Sequence, residues 1–157
     1  MRRIAAAGRE EGGDEGTSSV AEVYEIKFPV RPGDIDQLEH VNNVAYLRWV
    51  QDVAVAHWTA RATKQCQDEL LWVVLRHEID YKQSARLGDE IRALTWVGAA
   101  TRVRFDRFTE LRRAADDVLL AKARSVWCPI NAQTRRPAGV SADLLELFSS
   151  PCAEKTK

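Results

Sequence analysis

Residues 34–62, DIDQLEHVNNVAYLRWVQDVAVAHWTARA, decide the fold. From Val44 onward nearly every position is apolar, and the few polar ones, Arg48, Gln51, Asp52 and Thr59, recur at helical spacing. A helix with so narrow a polar stripe has to be covered on most sides. Asn42 or Asn43 is placed to cap it, and Arg48 and Asp52 are placed to pair across one turn. The loop ahead of it crowds Asp34, Asp36, Glu39, His40, Asn42 and Asn43 together. So much polarity at the start of a buried helix calls for a chemical reason.

Working outward, Tyr24, Ile26, Phe28 and Val30 alternate as in a strand with one buried face, and Arg31, Pro32 and Gly33 end it. After the helix, Gln65 to Glu69 reads as a polar connection. LLWVVLRHEIDYK then places Leu71, Val73, Leu75, His77, Ile79 and Tyr81 on one face of a strand, with Leu87 and Gly88 in the following connection. Asp89 to Val97 forms the next strand, and the chain can reverse near Gly98 to Ala100. In VRFDRFTEL, Val103 and Phe105 share a parity that Phe108 breaks, which predicts a bulge or twist near Asp106. Ala115, Asp116 and Asp117 make a turn, VLLAKARSVWCPI makes the last strand, and Ser141 caps a short helix ending near Phe148. Turns this short join antiparallel neighbours. The expected class is α+β, a long central helix covered by a curved antiparallel sheet of about five strands.

At 157 residues and 45% apolar content, one domain of ordinary core size is expected, spanning 20–150. Residues 1–18, rich in Gly, Glu, Arg and Ser, read as a disordered tail, and 151–157 as a flexible end. Lys plus Arg and Asp plus Glu total 23 each, so no global field attracts nucleic acid or a membrane surface. Cys66, Cys128 and Cys152 form no CxxC pair, which points to a reducing compartment. No apolar run approaches the length of a membrane span, and the amino-terminal stretch lacks the hydrophobic segment of a secretory signal. A cytoplasmic protein is expected. Histidines and cysteines are too scattered for a metal site, so neither metal nor cofactor is expected, and His57 and His77 read as core or interface residues.

A helix start presents unpaired N–H groups and partial positive charge, which stabilise the oxyanion formed when a carbonyl is attacked. A nearby carboxylate can attack that carbonyl or activate water. DIDQLEHVNNVAYLRW resembles the signature of hotdog-fold thioesterases, the group containing 4-hydroxybenzoyl-CoA thioesterase and the plant acyl-ACP thioesterases. The similarity continues through HEIDYKQSARLGDEIRALTWV and Thr134 to Pro137, covering about residues 22–149.

The resemblance implies hydrolysis of an acyl-CoA, or of an acyl thioester on acyl carrier protein, without a cofactor. It puts the catalytic carboxylate, the second Asp of an Asp-x-Asp pair, on Asp36 and leaves Asp34 structural. Where plant enzymes carry an Asn two residues on and a His four residues on, this chain has Leu38 and His40. His40 is then a general acid or substrate-orienting residue, and Asn42 and Asn43 divide capping and oxyanion duties. Tyr46 and Trp49 are candidates for the acyl pocket. Arg102 and Arg104 are candidates for CoA phosphates, although Gly98 to Ala100 lack the basic residues often found there, as a carrier-protein substrate would allow. The family pairs the strand around Leu71 to Lys82 with its copy, implying a homodimer, and tetramers are common in it. A non-catalytic or dehydratase-type domain is the third alternative, and the Asp-x-Asp loop argues against it.

Overall fold

The computed structural model describes residues 21–149: strand β1 (Tyr24–Pro29), helix α1 (Asn43–Arg61), helix α2 (Lys64–Glu69), strands β2 (Leu70–Tyr81), β3 (Glu90–Ala100), β4 (Phe105–Arg113) and β5 (Leu119–Asn131), and helix α3 (Ala142–Glu146). The strands form one antiparallel sheet in the order β1-β3-β4-β5-β2, and α1 packs on β1, β3 and β4. This is the hotdog arrangement, with β2 and β1 as the two free edges.

The core falls into two clusters along α1. Tyr46, Trp49, Val50 and Val53 meet Ile91, Leu111 and Leu120 near its amino end. Ala54 and Trp58 meet Phe105, Trp127, Leu144 and Phe148 toward its carboxyl end. Each large side chain buried there contributes about 1.5–3 kcal/mol by leaving water. Tyr24, Ile26 and Phe28 face the core with Val30, as their alternation requires. Asn42 caps α1 by accepting the Val44 N–H at 2.9 Å, and Ser141 caps α3 by accepting that of Leu144 at 3.1 Å. Among the described residues, no helix is long and apolar enough to cross a membrane.

Several expectations are corrected. The connection at Gln65 to Glu69 is helical, because Thr63 caps it by accepting the Cys66 N–H at 3.2 Å. On β2 a register slip between Val74 and Arg76 reverses the faces, so Leu71, Val73 and Leu75 are exposed while Trp72, Val74, His77 and Ile79 are half-buried. The bulge or twist expected near Asp106 lies on the strand opposite it: β3 slips by one residue against β4 between Val97 and Ala100, which pair with Arg107 and Phe105. Phe105, Arg107, Thr109 and Leu111 alternate inward without interruption, and Phe108 stacks on Trp96 on the opposite face. The chain does not reverse at Gly98 to Ala100; β3 runs through them and the turn falls at Thr101 to Arg104, closed by Thr101 N–H to Arg104 C=O at 2.8 Å. Gly98 is needed there for space, since a Cβ would come within 2.5 Å of the Phe108 ring. Arg48 pairs with Asp34 rather than with Asp52. The expected tails, 1–18 and 151–157, and Cys152 lie outside the described residues.

Candidate active site

The polar loop is a tight hairpin. Ile35 and Val41 bridge, Asp36 N–H donates to the His40 carbonyl at 2.9 Å, and Glu39 turns the chain with φ 62°. Two further bonds fix it to the body of the protein: Asn42 N–H to Asp34 C=O at 2.8 Å, and Val41 N–H to Ala85 C=O at 3.0 Å. Asp34 is only 4% exposed and holds the hairpin base, accepting the Arg31 N–H at 2.9 Å and pairing with Arg48. It therefore occupies the structural position expected of it.

Asp36 is half-buried and lines a shallow depression with Ile35, Gln37, Leu38 and Asn42. Its Oδ1 accepts the Leu38 N–H at 2.8 Å, an Asx turn. Among the described residues Oδ2 has no hydrogen-bond partner, so one carboxylate oxygen shapes the loop and the other is uncommitted. At the start of α1, the Val44 N–H is taken by the Asn42 side chain and the Ala45 N–H by the Asn42 carbonyl, 2.9 Å in each case. The Asn43 N–H is left without an acceptor among the described residues. That amide, at the positive end of a 19-residue helix, is an open donor. The Asn43 carbonyl receives the Tyr81 hydroxyl at 3.3 Å, tying the helix start to the end of β2.

The other candidates separate. His40 is half-buried beside Asp36 in the hairpin. Tyr46 is 2% exposed and its hydroxyl accepts the Ala85 N–H at 2.8 Å, so in the single chain it anchors the loop after β2 instead of opening onto the depression. Trp49 is buried against Phe28 and Tyr46 and lines a different cleft, of about 580 Å³, with Arg31, Asp34 and Arg48. Arg102 and Arg104 are exposed in the β3–β4 turn, where the Arg102 carbonyl receives the Val140 N–H at 2.7 Å. That turn lies toward the carboxyl end of α1, and a 19-residue helix is about 28 Å long. One chain does not bring these arginines to Asp36.

A second polar cluster lies beneath the carboxyl half of α1 and was not legible as a unit. His57 is fully buried, as expected of a core histidine, with Nε2 3.3 Å from Glu22 Oε2, and Glu22 is also held by Arg61. Arg107 Nη1 donates to His57 Nδ1 at 3.0 Å and to Thr95 Oγ1 at 3.1 Å. Nδ1 is thus an acceptor and the proton sits on Nε2, facing Glu22. Burial and the Arg107 charge push the His57 pKa down to about 4, and burial pushes that of Arg107 down to about 9. His77 is likewise a core-facing histidine, 2.7 Å from Ser125 Oγ through Nδ1, and burial lowers its pKa.

The comparisons agree with this architecture. The model of the thioesterase-like superfamily matches residues 30–148. The chloroplastic acyl-[acyl-carrier-protein] hydrolase of Cuphea viscosissima is 29% identical over 100 residues, 60% of this chain and 24% of that protein. The chain thus spans about a quarter of that relative. The structure of a 1,4-dihydroxy-2-naphthoyl-CoA thioesterase from Synechocystis superposes with a TM-score of 0.71 at 17% identity, covering 81% of this chain and 96% of that one. The 12:0-ACP thioesterase from Umbellularia californica gives 0.68 at 18% identity, covering 82% of this chain and 51% of that one. With the family model extending from the end of β1 to α3 and the same fold in solved thioesterases, the chain belongs to the thioesterase-like superfamily.

Proposed function

We propose that the chain hydrolyses acyl-CoA thioesters, with Asp36 as nucleophile or general base and the Asn43 N–H as oxyanion donor. The observation that carries this is a carboxylate with one uncommitted oxygen in a depression that Asn42, the cap of α1, also lines, with the uncommitted Asn43 amide next along the chain, in a protein of this superfamily. The thioester carbonyl oxygen sits at the start of α1, where developing negative charge meets a fixed donor and the helix dipole. The carboxylate then attacks the carbonyl carbon, giving an anhydride that water opens, or it takes a proton from the water that attacks. Both routes release the free acid and the thiol. His40 and Asn42 orient the acyl group beside Asp36.

The proposal includes a homodimer. β2 is a free sheet edge carrying exposed Leu71, Val73 and Leu75, and a second copy removes that edge by antiparallel pairing. Such pairing turns the partner end for end, which carries the partner's phosphate-binding turn toward this chain's Asp36. Tyr46 and Trp49 would meet the acyl chain only where the two copies join. Light scattering is expected to give twice the 17.7 kDa chain mass; a monomer at micromolar concentration contradicts this part.

A carrier-protein substrate is the second reading, favoured by the likeness to the plant hydrolase and by the uncharged Gly98 to Ala100. The deciding experiment measures thiol release from paired CoA and carrier-protein thioesters of equal chain length, over short, long and aromatic acyl groups. Faster release from the CoA partner is expected. Preference for the carrier protein selects the second reading, and no release from either rejects hydrolysis.

A further inference from the structure

Three buried side-chain polar atoms lack a hydrogen-bond partner among the described residues: Trp72 Nε1, Trp127 Nε1 and His77 Nε2. All three belong to one patch of the β2–β5 pair, where Trp127 lies opposite Val74 and His77 opposite Ser125, and the His77 and Trp127 rings are 6.5 Å apart. Buried donors normally find acceptors, so three orphans in one place mark a missing partner. All three atoms are buried within the single chain.

Both tryptophans line a cavity of about 30 Å³ beneath α1, together with Ala54, Trp58, Phe105 and Arg107. Its walls are almost wholly hydrocarbon, with the Arg107 side chain among them and the two indole N–H groups buried behind the ring faces. Arg107 is 3% exposed, and its guanidinium carbon lies 5.2 Å from the Phe148 ring centre and 6.0 Å from that of Phe105. Its hydrogen-bond acceptors among the described residues are a neutral imidazole nitrogen and a hydroxyl. Among the described residues no carboxylate bonds it directly; the nearest in its hydrogen-bond chain, Glu22, lies beyond His57. At neutral pH, with its pKa near 9, Arg107 is a buried cation with no directly bonded carboxylate among these residues, an arrangement that is costly until an anion joins it.

We propose that this cavity is a binding site for a small monovalent anion, held by the Arg107 guanidinium and the indole N–H groups of Trp72 and Trp127 inside an aromatic cage. A cavity of this size admits one halide or the headgroup of a carboxylate. A single cation in apolar surroundings neutralises one charge and leaves a divalent anion under-compensated. Trp72 is half-buried on the edge strand and Val55 is exposed at the cavity, so entry of the ion requires these two side chains to yield and the indole N–H groups to turn to it. The occupant is either a free ion such as chloride or an organic carboxylate, the class of product that the proposed hydrolysis releases. The site is independent of Asp36, at the other end of α1.

The test is a titration of intrinsic tryptophan fluorescence of the full chain with chloride, formate or octanoate at constant ionic strength, with sulfate as the balancing salt. A saturable change with at least one monovalent anion is expected, and it is abolished in Arg107→Met. In Trp127→Phe, which keeps the ring but removes one N–H, half-saturation is expected to rise at least about threefold, the scale of one lost hydrogen bond. Saturation by chloride and formate identifies a free-ion site, and saturation by octanoate alone identifies a carboxylic-acid site. A linear quench without saturation in the wild type, or an unchanged response in Arg107→Met, overturns the proposal. If Arg107→Met does not fold, an unchanged response in folded Trp127→Phe overturns it. Asp36→Asn is expected to bind the anion as the wild type does, so loss of hydrolysis and loss of this site are read separately.

Discussion

Asp36→Asn is expected to lower turnover at least about 100-fold, the scale of a lost base or nucleophile, while unfolding stability changes by less than about 0.5 kcal/mol. The substitution discriminates well because of what asparagine keeps. Its side-chain oxygen still accepts the Leu38 N–H that Asp36 Oδ1 accepts at 2.8 Å, so the Asx turn and the hairpin survive. What is lost is the charge and the basicity of the second oxygen. A residue whose only task was to close the turn would tolerate asparagine with near wild-type rates. Steady-state kinetics beside denaturant unfolding of the same preparation separate the two cases.

The second large effect is on stability against pH. An unfolded histidine titrates near 6.5, whereas burial and Arg107 hold His57 in the folded chain down to about 4. The folded-state pKa is depressed, so as pH falls the unfolded chain takes up this proton first. The contribution of neutral His57 is complete above about pH 6.5 and is lost between 6.5 and about 4. At about 1.4 kcal/mol per pH unit this amounts to about 3 kcal/mol. Glu22, whose carboxyl Arg61 holds below its ordinary 4.5, adds a loss of the same sign at lower pH. Urea unfolding at pH 7, 5.5 and 4.5 is expected to show the decline. In His57→Gln the uptake of about one proton over pH 6.5 to 4.5 should vanish; an identical slope in the two proteins contradicts the assignment.

What could be read from residues alone follows the range of the forces involved. The period-2 face of Tyr24 to Val30, the narrow stripe of α1, the Ser141 cap and the Asp117 turn are local, and each appears in the structure. The face reversal in β2 is set by pairing with β5, 48 residues on at His77 and Ser125, and no local pattern encodes it. Arg48 had two carboxylates within reach, and the buried one fixed by the hairpin, Asp34, took it from the helical neighbour Asp52.

The polar loop could be recognised as a site because its composition is local, but its distribution of donors could not. Asn42 rather than Asn43 takes the cap, which is what leaves the Asn43 amide open. Arg107 went unnoticed because an arginine in a strand reads as solvent-facing, although its parity with Phe105, Thr109 and Leu111 was a signal that it points inward. Its partner His57 lies 50 residues away, and Glu22, the partner of His57, a further 35, beyond what sequence patterning reaches.

A structure of the chain with a non-hydrolysable thioester analogue, its sulfur replaced by methylene, tests the central assignment most directly. The expected result places the analogue's carbonyl oxygen within about 2.7–3.1 Å of the Asn43 amide and the Asp36 carboxylate at the carbonyl carbon, directly or through one water. An analogue bound with its carbonyl away from the start of α1, or with Asp36 turned from it, would contradict the assignment.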